Sequence, residues 1–266
     1  MTSPLTWLRR LWRTVHSPPH SIPDALWHST LAHYPFLAAL SAADQQRLRE
    51  CSALFLADKE FHGVGVDVTD AMALAVAAQA CLPVMHLHRK PARALAWYDD
   101  FVGINIYPGE MRARRKVQDS AGVVHHYSED LLGEAMDRGP VTLSWAAVQG
   151  AGHSAEQGSN LVVHEFVHKL DMRNGAADGS PPLPTRAARA QWTAVMRAEY
   201  QAFCDALELH ERFGAAAPFL DAYAATAPEE FFAVAAEAYF VNRAAFEQAH
   251  APLVPLFDAF FLRSRH

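Results

Sequence analysis

Two histidines and a glutamate set inside an apolar run constrain this chain more than any other feature. In Leu161-Val162-Val163-His164-Glu165-Phe166-Val167-His168-Lys169-Leu170, ionisable side chains interrupt a stretch that otherwise reads as a buried helix. Burying imidazoles and a carboxylate is costly unless each finds a partner. His164 and His168 are four residues apart, so on a helix they stand one turn apart on one face. Two imidazoles so placed can hold one metal ion while the helix keeps its own hydrogen bonds. Glu165 lies about 100° around the helix from His164, where it can reach a water on that ion without ligating it. This is the physical content of the H-E-x-x-H pattern, which points to zinc and hydrolysis.

A four-coordinate catalytic zinc needs a third protein ligand and an open position. No third histidine follows at close spacing: position 171 is Asp, and Asn174 stands where the last histidine of H-E-x-x-H-x-x-G-x-x-H would fall. The ligand must come from later in the chain, and Glu229, Glu230 and Glu237 are the candidates. Thr226 and Glu229 have capping-box spacing, which would occupy Glu229 at a helix start. Glu230 sits among Phe231, Phe232 and Val234, where a carboxylate is costly unless paired, and is preferred. Glu237, seven residues on along the same face, stays open as a ligand or a supporting partner. Asp171 or Asn160 could accept the second ring N–H of a ligating histidine.

Elsewhere the pattern runs from helices to strands and back to helices. Ser41 with Asp44 predicts a capped helix through Leu48, Cys51 and Phe55, and Thr69 predicts the start of an alanine-rich helix ending before Pro83. Residues 101–107, 123–127 and 140–145 read as strands. Helices are expected from Asn160 to Met172, from Thr185 to Leu209, from about Pro228, and at the C-terminal end, with a loop over 175–184. The order suggests an α+β fold: an N-terminal arm over 1–34, then one domain over 35–266. That domain divides into a mixed α/β lobe (35–158) and a helical lobe (159–266) carrying the metal segment, with a cleft between them. Strand 141–145 is a candidate edge for pairing with an extended substrate.

Composition narrows the partners. A formal net charge of −6 argues against direct nucleic-acid binding, and Arg112, Arg114, Arg115 and Lys116 read as a solvated loop. Cys51, Cys81 and Cys204 are odd in number and far apart, which suits neither a disulfide framework nor a thiolate zinc site and fits a reducing compartment. No run approaches the roughly 18 apolar residues of a membrane span, so a cytoplasmic location is expected. Trp7, Leu8, Leu11 and Trp12 could form a short amphipathic turn touching a membrane surface or a partner, but an arm folded back on the body is the preferred reading. His86, His88, His125, His126 and His153 show no second ligand set and read as surface or loop residues.

HEFVHKLDMRNG (164–175), together with DAYAATAPEEFFAVAAEAYF (221–240), resembles the Mlc titration factor A family of bacterial zinc peptidases. LFLADKEF, CLPV, WYDDF, IYPGE and GPVTLSW match it in character and order, and the likeness spans about residues 35 to 260. The resemblance implies a zincin-like, gluzincin-type site with one zinc per chain. Carried over, the ligands fall on His164, His168 and Glu230, the general base on Glu165, and an active-site tyrosine on Tyr223; spacing alone would leave Tyr223 an ordinary core tyrosine. It further implies aminopeptidase-like action on short peptides in the cytoplasm. The alternative it carries is a protein that sequesters a Mlc-like, glucose-responsive transcriptional repressor.

Overall fold

The computed structural model describes residues 21–109, 111–118, 124–131 and 133–264, and over 111–131 the strands without their side chains. Trp7, Leu8, Leu11 and Trp12 lie outside the described residues.

Helix α1 (Asp24–His33) falls within the stretch read as an arm and buries Trp27. Helix α2 (Ala42–Asp58) starts where the Ser41 hydroxyl accepts the Asp44 N–H at 3.1 Å. β1 (Glu60–Gly63) follows, a strand too short to show alternation in sequence. α3 (Asp70–Cys81) is capped by Thr69, and its small alanines let neighbouring helices close on every side, so that it is buried from Leu74 to Cys81.

β2 (Gly103–Tyr107), β3 (Met111–Gln118), β4 (Val124–Leu131), β5 (Gly133–Ala135) and β6 (Val141–Ser144) complete the strands. β3 and β4 form an antiparallel pair, so the basic cluster lies on a strand and not on a loop; on β4, His126 is in register with Lys116 and His125 with Val117. The other four make a sheet in the order β1-β2-β6-β5, parallel except for β5. Ile104, Ile106, Val141 and Leu143 form its buried face. β6 is therefore paired on both sides and has no edge to offer a substrate; among the described residues that edge belongs to β5. The backbone turns into helix α4 (Trp145–Ser154) straight from β6, with Ser144 as cap.

The second half is helical: α5 (Leu161–Asp171), α6 (Arg186–Phe213), α7 (Pro228–Val241), α8 (Arg243–Ala249) and α9 (Leu253–Phe261). α5 packs chiefly on α7 and also meets α3, β5 and β6, which places it at the centre of the molecule. Phe166 shows why it stays there: it is fully buried, with its ring 5.0 Å from Tyr98, 5.6 Å from Phe55 and 5.9 Å from Phe101. Aromatic pairs at such distances add to the burial of the rings themselves. The outcome is a mixed α+β fold with a small four-stranded sheet. No described helix is long and apolar enough to cross a membrane.

Candidate active site

The floor of the site begins at the N-terminus of α5. Asn160 caps the helix, its Oδ1 accepting the Val163 N–H at 2.9 Å, while its Nδ2 donates to Gln79 Oε1 on α3 at 2.8 Å. Its backbone N–H and, at 3.2 Å, the Ser159 hydroxyl donate to Oε2 of Glu237 on α7. The other oxygen of Glu237 lies 2.7 Å from His164 Nδ1. When the ring is neutral, a carboxylate there keeps the proton on Nδ1 and leaves a lone pair on Nε2, turned the other way.

That lone pair meets two others. His168 Nε2 is 3.1 Å from His164 Nε2, and Glu230 Oε2 is 3.1 Å from His164 Nε2 and 3.2 Å from His168 Nε2. Two imidazole nitrogens and a carboxylate oxygen cannot satisfy one another with shared protons at all three edges. In the protein alone, burial works against charge on His164, but the hydrogen bonds of Glu230 and Glu237 outweigh it and hold the imidazole well above its ordinary pKa. Burial likewise pushes the Glu230 carboxyl up, and the two histidines reverse this, holding it well below the usual range.

Glu165 points elsewhere on the helix and is only 5% exposed. Burial pushes its carboxyl up to about 7; His164 opposes the shift, while Glu230, Glu237 and Glu134 add to it. Gly133 on β5 leaves it room, because a Cβ at that position would collide with Glu165 Oε1. The strand is held there by Lys169, one residue past His168, which is fully buried, donates to the Met136 carbonyl at 2.8 Å and pairs with Asp100 at 2.7 Å.

Tyr223 stands at the rim on a short 3₁₀ turn (Ala222–Ala225), its ring 6.0 Å from that of His164. It is 47% exposed, so it is not the core tyrosine that spacing suggests. His164, Glu165 and Tyr223 all line a cavity of about 490 Å³.

A profile of the glucose-regulated metallo-peptidase M90 family matches residues 7–262, reaching into the N-terminal arm. The chain is similar to Mlc titration factor A of Klebsiella pneumoniae subsp. pneumoniae, 36% identical over 216 residues that cover 80% of this chain and 77% of the relative. The protein of the same name from Enterobacter sp. strain 638 is 36% identical over 222 residues (82% and 79%), and that of Yersinia pestis is 34% identical over 235 (88% and 82%). The chain belongs to the M90 metallopeptidase family. M90 membership implies a metal, commonly zinc, and the donors suit one. In a tetrahedral site with bonds of about 2.0–2.2 Å, neighbouring ligand atoms are separated by roughly 3.3–3.6 Å. The three atoms at 3.1–3.2 Å come close to that spacing, and among the described residues His164, His168 and Glu230 form a group able to hold an ion.

Several sequence expectations are corrected within this M90 framework. Thr226 and Glu229 form no capping box: Ala227 is the N-cap of α7, Pro228 opens the helix, and the Thr226 hydroxyl bonds the Tyr223 carbonyl at 2.7 Å. Asp171 is no histidine partner but a buried loop anchor, accepting the N–H groups of Asp178, Gly179 and Ser180 at 3.0, 2.7 and 2.9 Å. Asn160 serves as cap and donor. His86 is buried, 2.8 Å from Asp44, and is not a surface residue. Sequence reasoning missed Gly133 and the buried role of Lys169; a lone glycine in a three-residue strand carries no pattern to find.

Proposed function

We propose that this M90 chain is a cytoplasmic, zinc-dependent peptidase acting on short peptides in an aminopeptidase-like manner, with His164, His168 and Glu230 as metal ligands. The observation that carries the reading is the three-atom cluster with a near-buried carboxylate, Glu165, one residue along the same helix. When bound, zinc would supply Lewis-acid polarisation of the scissile carbonyl and acidify a water molecule. Glu165 is the general base: its carboxylate takes a proton from the attacking water and delivers it to the leaving amine. Burial makes that carboxylate less acidic than a solvated one, which favours its taking up the proton. Tyr223 donates its hydroxyl hydrogen to the oxyanion that develops on the carbonyl. Glu237 holds the His164 tautomer throughout, and an extended substrate lies along β5, the sheet edge beside Glu165.

The deciding experiment compares Glu165→Gln with the natural protein. Zinc content is expected to be retained, and chelator-sensitive peptide cleavage to fall about 10²- to 10⁴-fold; retained turnover would remove Glu165 from the mechanism.

A second reading is favoured by the name of the relatives, Mlc titration factor A. In it the chain sequesters a Mlc-like, glucose-responsive transcriptional repressor, with peptidase activity secondary. Chelation separates the two: capture of a Mlc-like repressor that survives zinc removal needs no catalytic metal.

A further inference from the structure

We propose that Asp171 is a positioning residue for the metal: through the loop it anchors, it fixes the first turn of α7 and with it the Glu230 carboxylate. This rests on the reading of Glu230 as a ligand and adds what holds that ligand in place.

Glu230 is the one ligand of the three that does not come from α5, and it stands at the least secure part of its own helix. Pro228 opens α7, so Glu230 is its third residue. The first backbone N–H groups of a helix have no partner within it, and helix ends open before their centres. The Phe231 N–H closes this first turn on the Ala227 carbonyl at 3.0 Å. Phe231 and Phe232 are fully buried and secure the body of the helix, which leaves the turn before them to be braced from outside.

Gly179 supplies the brace. It is the buried residue of the segment 172–180, and its carbonyl accepts the Trp192 Nε1–H at 2.8 Å. The ring of Trp192 in turn lies 5.3 Å from that of Phe232. A Cβ on Gly179 would come within 2.7 Å of the Pro228 carbonyl oxygen and 3.4 Å of the Glu229 nitrogen, so the bare loop backbone lies directly against the start of α7. Its φ of +77° is one that glycine adopts without strain.

Behind the loop stands Asp171, fully buried at the end of α5. Its Oδ2 accepts the N–H groups of Asp178 and Gly179, and its Oδ1 accepts that of Ser180. Hydrogen bonds to a carboxylate are stronger than neutral ones, and three of them draw the loop onto the helix end. The helix that carries His164 and His168 thus reaches, through one glycine, the first residue of the helix that carries Glu230. That short path sets how far apart the two sets of donors stand.

The test reads the metal and not turnover. Zinc affinity of the folded protein is measured by competition with a chromogenic chelator, and cobalt(II) serves as a spectroscopic probe of the ligand set. Asp171→Asn keeps the shape of the side chain but offers one acceptor oxygen where two are used. Gly179→Ala leaves the carboxylate intact and presses on Pro228 from the other end. Each is expected to weaken zinc about tenfold, the lower end for a residue that supports a ligand, and to move the cobalt spectrum toward that of Glu230→Gln. A purely structural Asp171 would lower the unfolding temperature of the metal-free protein and leave the zinc affinity of the folded chain unchanged. Natural zinc affinity in either folded variant would therefore overturn the assignment, and Gly179→Ala carries the test if Asp171→Asn does not fold. Natural zinc affinity in Glu230→Gln would instead overturn the ligand reading, and the assignment with it.

Discussion

His164 is approached from two sides, and the two sides are built on opposite terms. Behind it, Glu237 is 5% exposed and takes hydrogen bonds from the imidazole, a backbone N–H and a serine hydroxyl. In front, Tyr223 is 47% exposed and belongs to a turn of four residues. The floor is part of the folding core: the side chains that orient the donors also join α3, α5 and α7. The rim is hung on short elements, the 3₁₀ turn and the three-residue strand β5, which bring Tyr223 and Gly133 to the cavity. A floor so tied is suited to holding charge in a fixed geometry, and a rim whose tyrosine stays half exposed is suited to meeting a substrate. The contrast predicts that floor substitutions act on the metal and rim substitutions act on turnover.

The sharpest break between the two is on α7. Glu230→Ala is expected to abolish zinc retention on purification, whereas Glu237→Gln, which keeps a hydrogen-bond acceptor for Nδ1, is expected to weaken zinc only about 10- to 100-fold. Titration against a chromogenic chelator measures both, and the reverse order would make Glu237 the ligand. At the rim, Tyr223→Phe is expected to lower kcat about 10²-fold, the lower end for a lost oxyanion donor, with zinc content unchanged. Loss of zinc in that variant would place Tyr223 with the floor. The smallest effect is the pH response. Glu165 must be ionised to act as base, and burial raises its pKa to about 7, while a bound cation pulls it down again. Turnover of zinc-saturated protein is therefore expected to fall as pH drops through 7 or somewhat below. A profile flat from about pH 5 to 8 would mean that no buried carboxylate titrates in the rate.

Helix α5 was legible because its constraint is local. Four-residue spacing puts His164 and His168 on one face whatever surrounds them, and the apolar residues between them require that the face be buried. The seven-residue spacing of Glu230 and Glu237 is equally local, but setting Glu229 aside leaned on a capping box that does not form, so spacing alone left three carboxylates of α7 as candidates. The caps at Ser41 and Thr69 were readable for the same local reason, since a cap depends on a side chain and an N–H three residues away. The Thr226–Glu229 pair had the right spacing and formed no cap, because Pro228 begins the helix and the Thr226 hydroxyl has a nearer carbonyl.

What the residues determined by themselves was thus the chemistry on offer: two imidazoles and a carboxylate on one helix, with further carboxylates on another. Tertiary structure decided how those groups divide the work. Which α7 carboxylate meets Nε2 and which meets Nδ1 depends on where α7 crosses α5, and the room around Glu165 depends on a glycine from a strand about thirty residues earlier. Contacts of that kind follow from packing between elements distant in the chain, and no short-range period in the sequence encodes them.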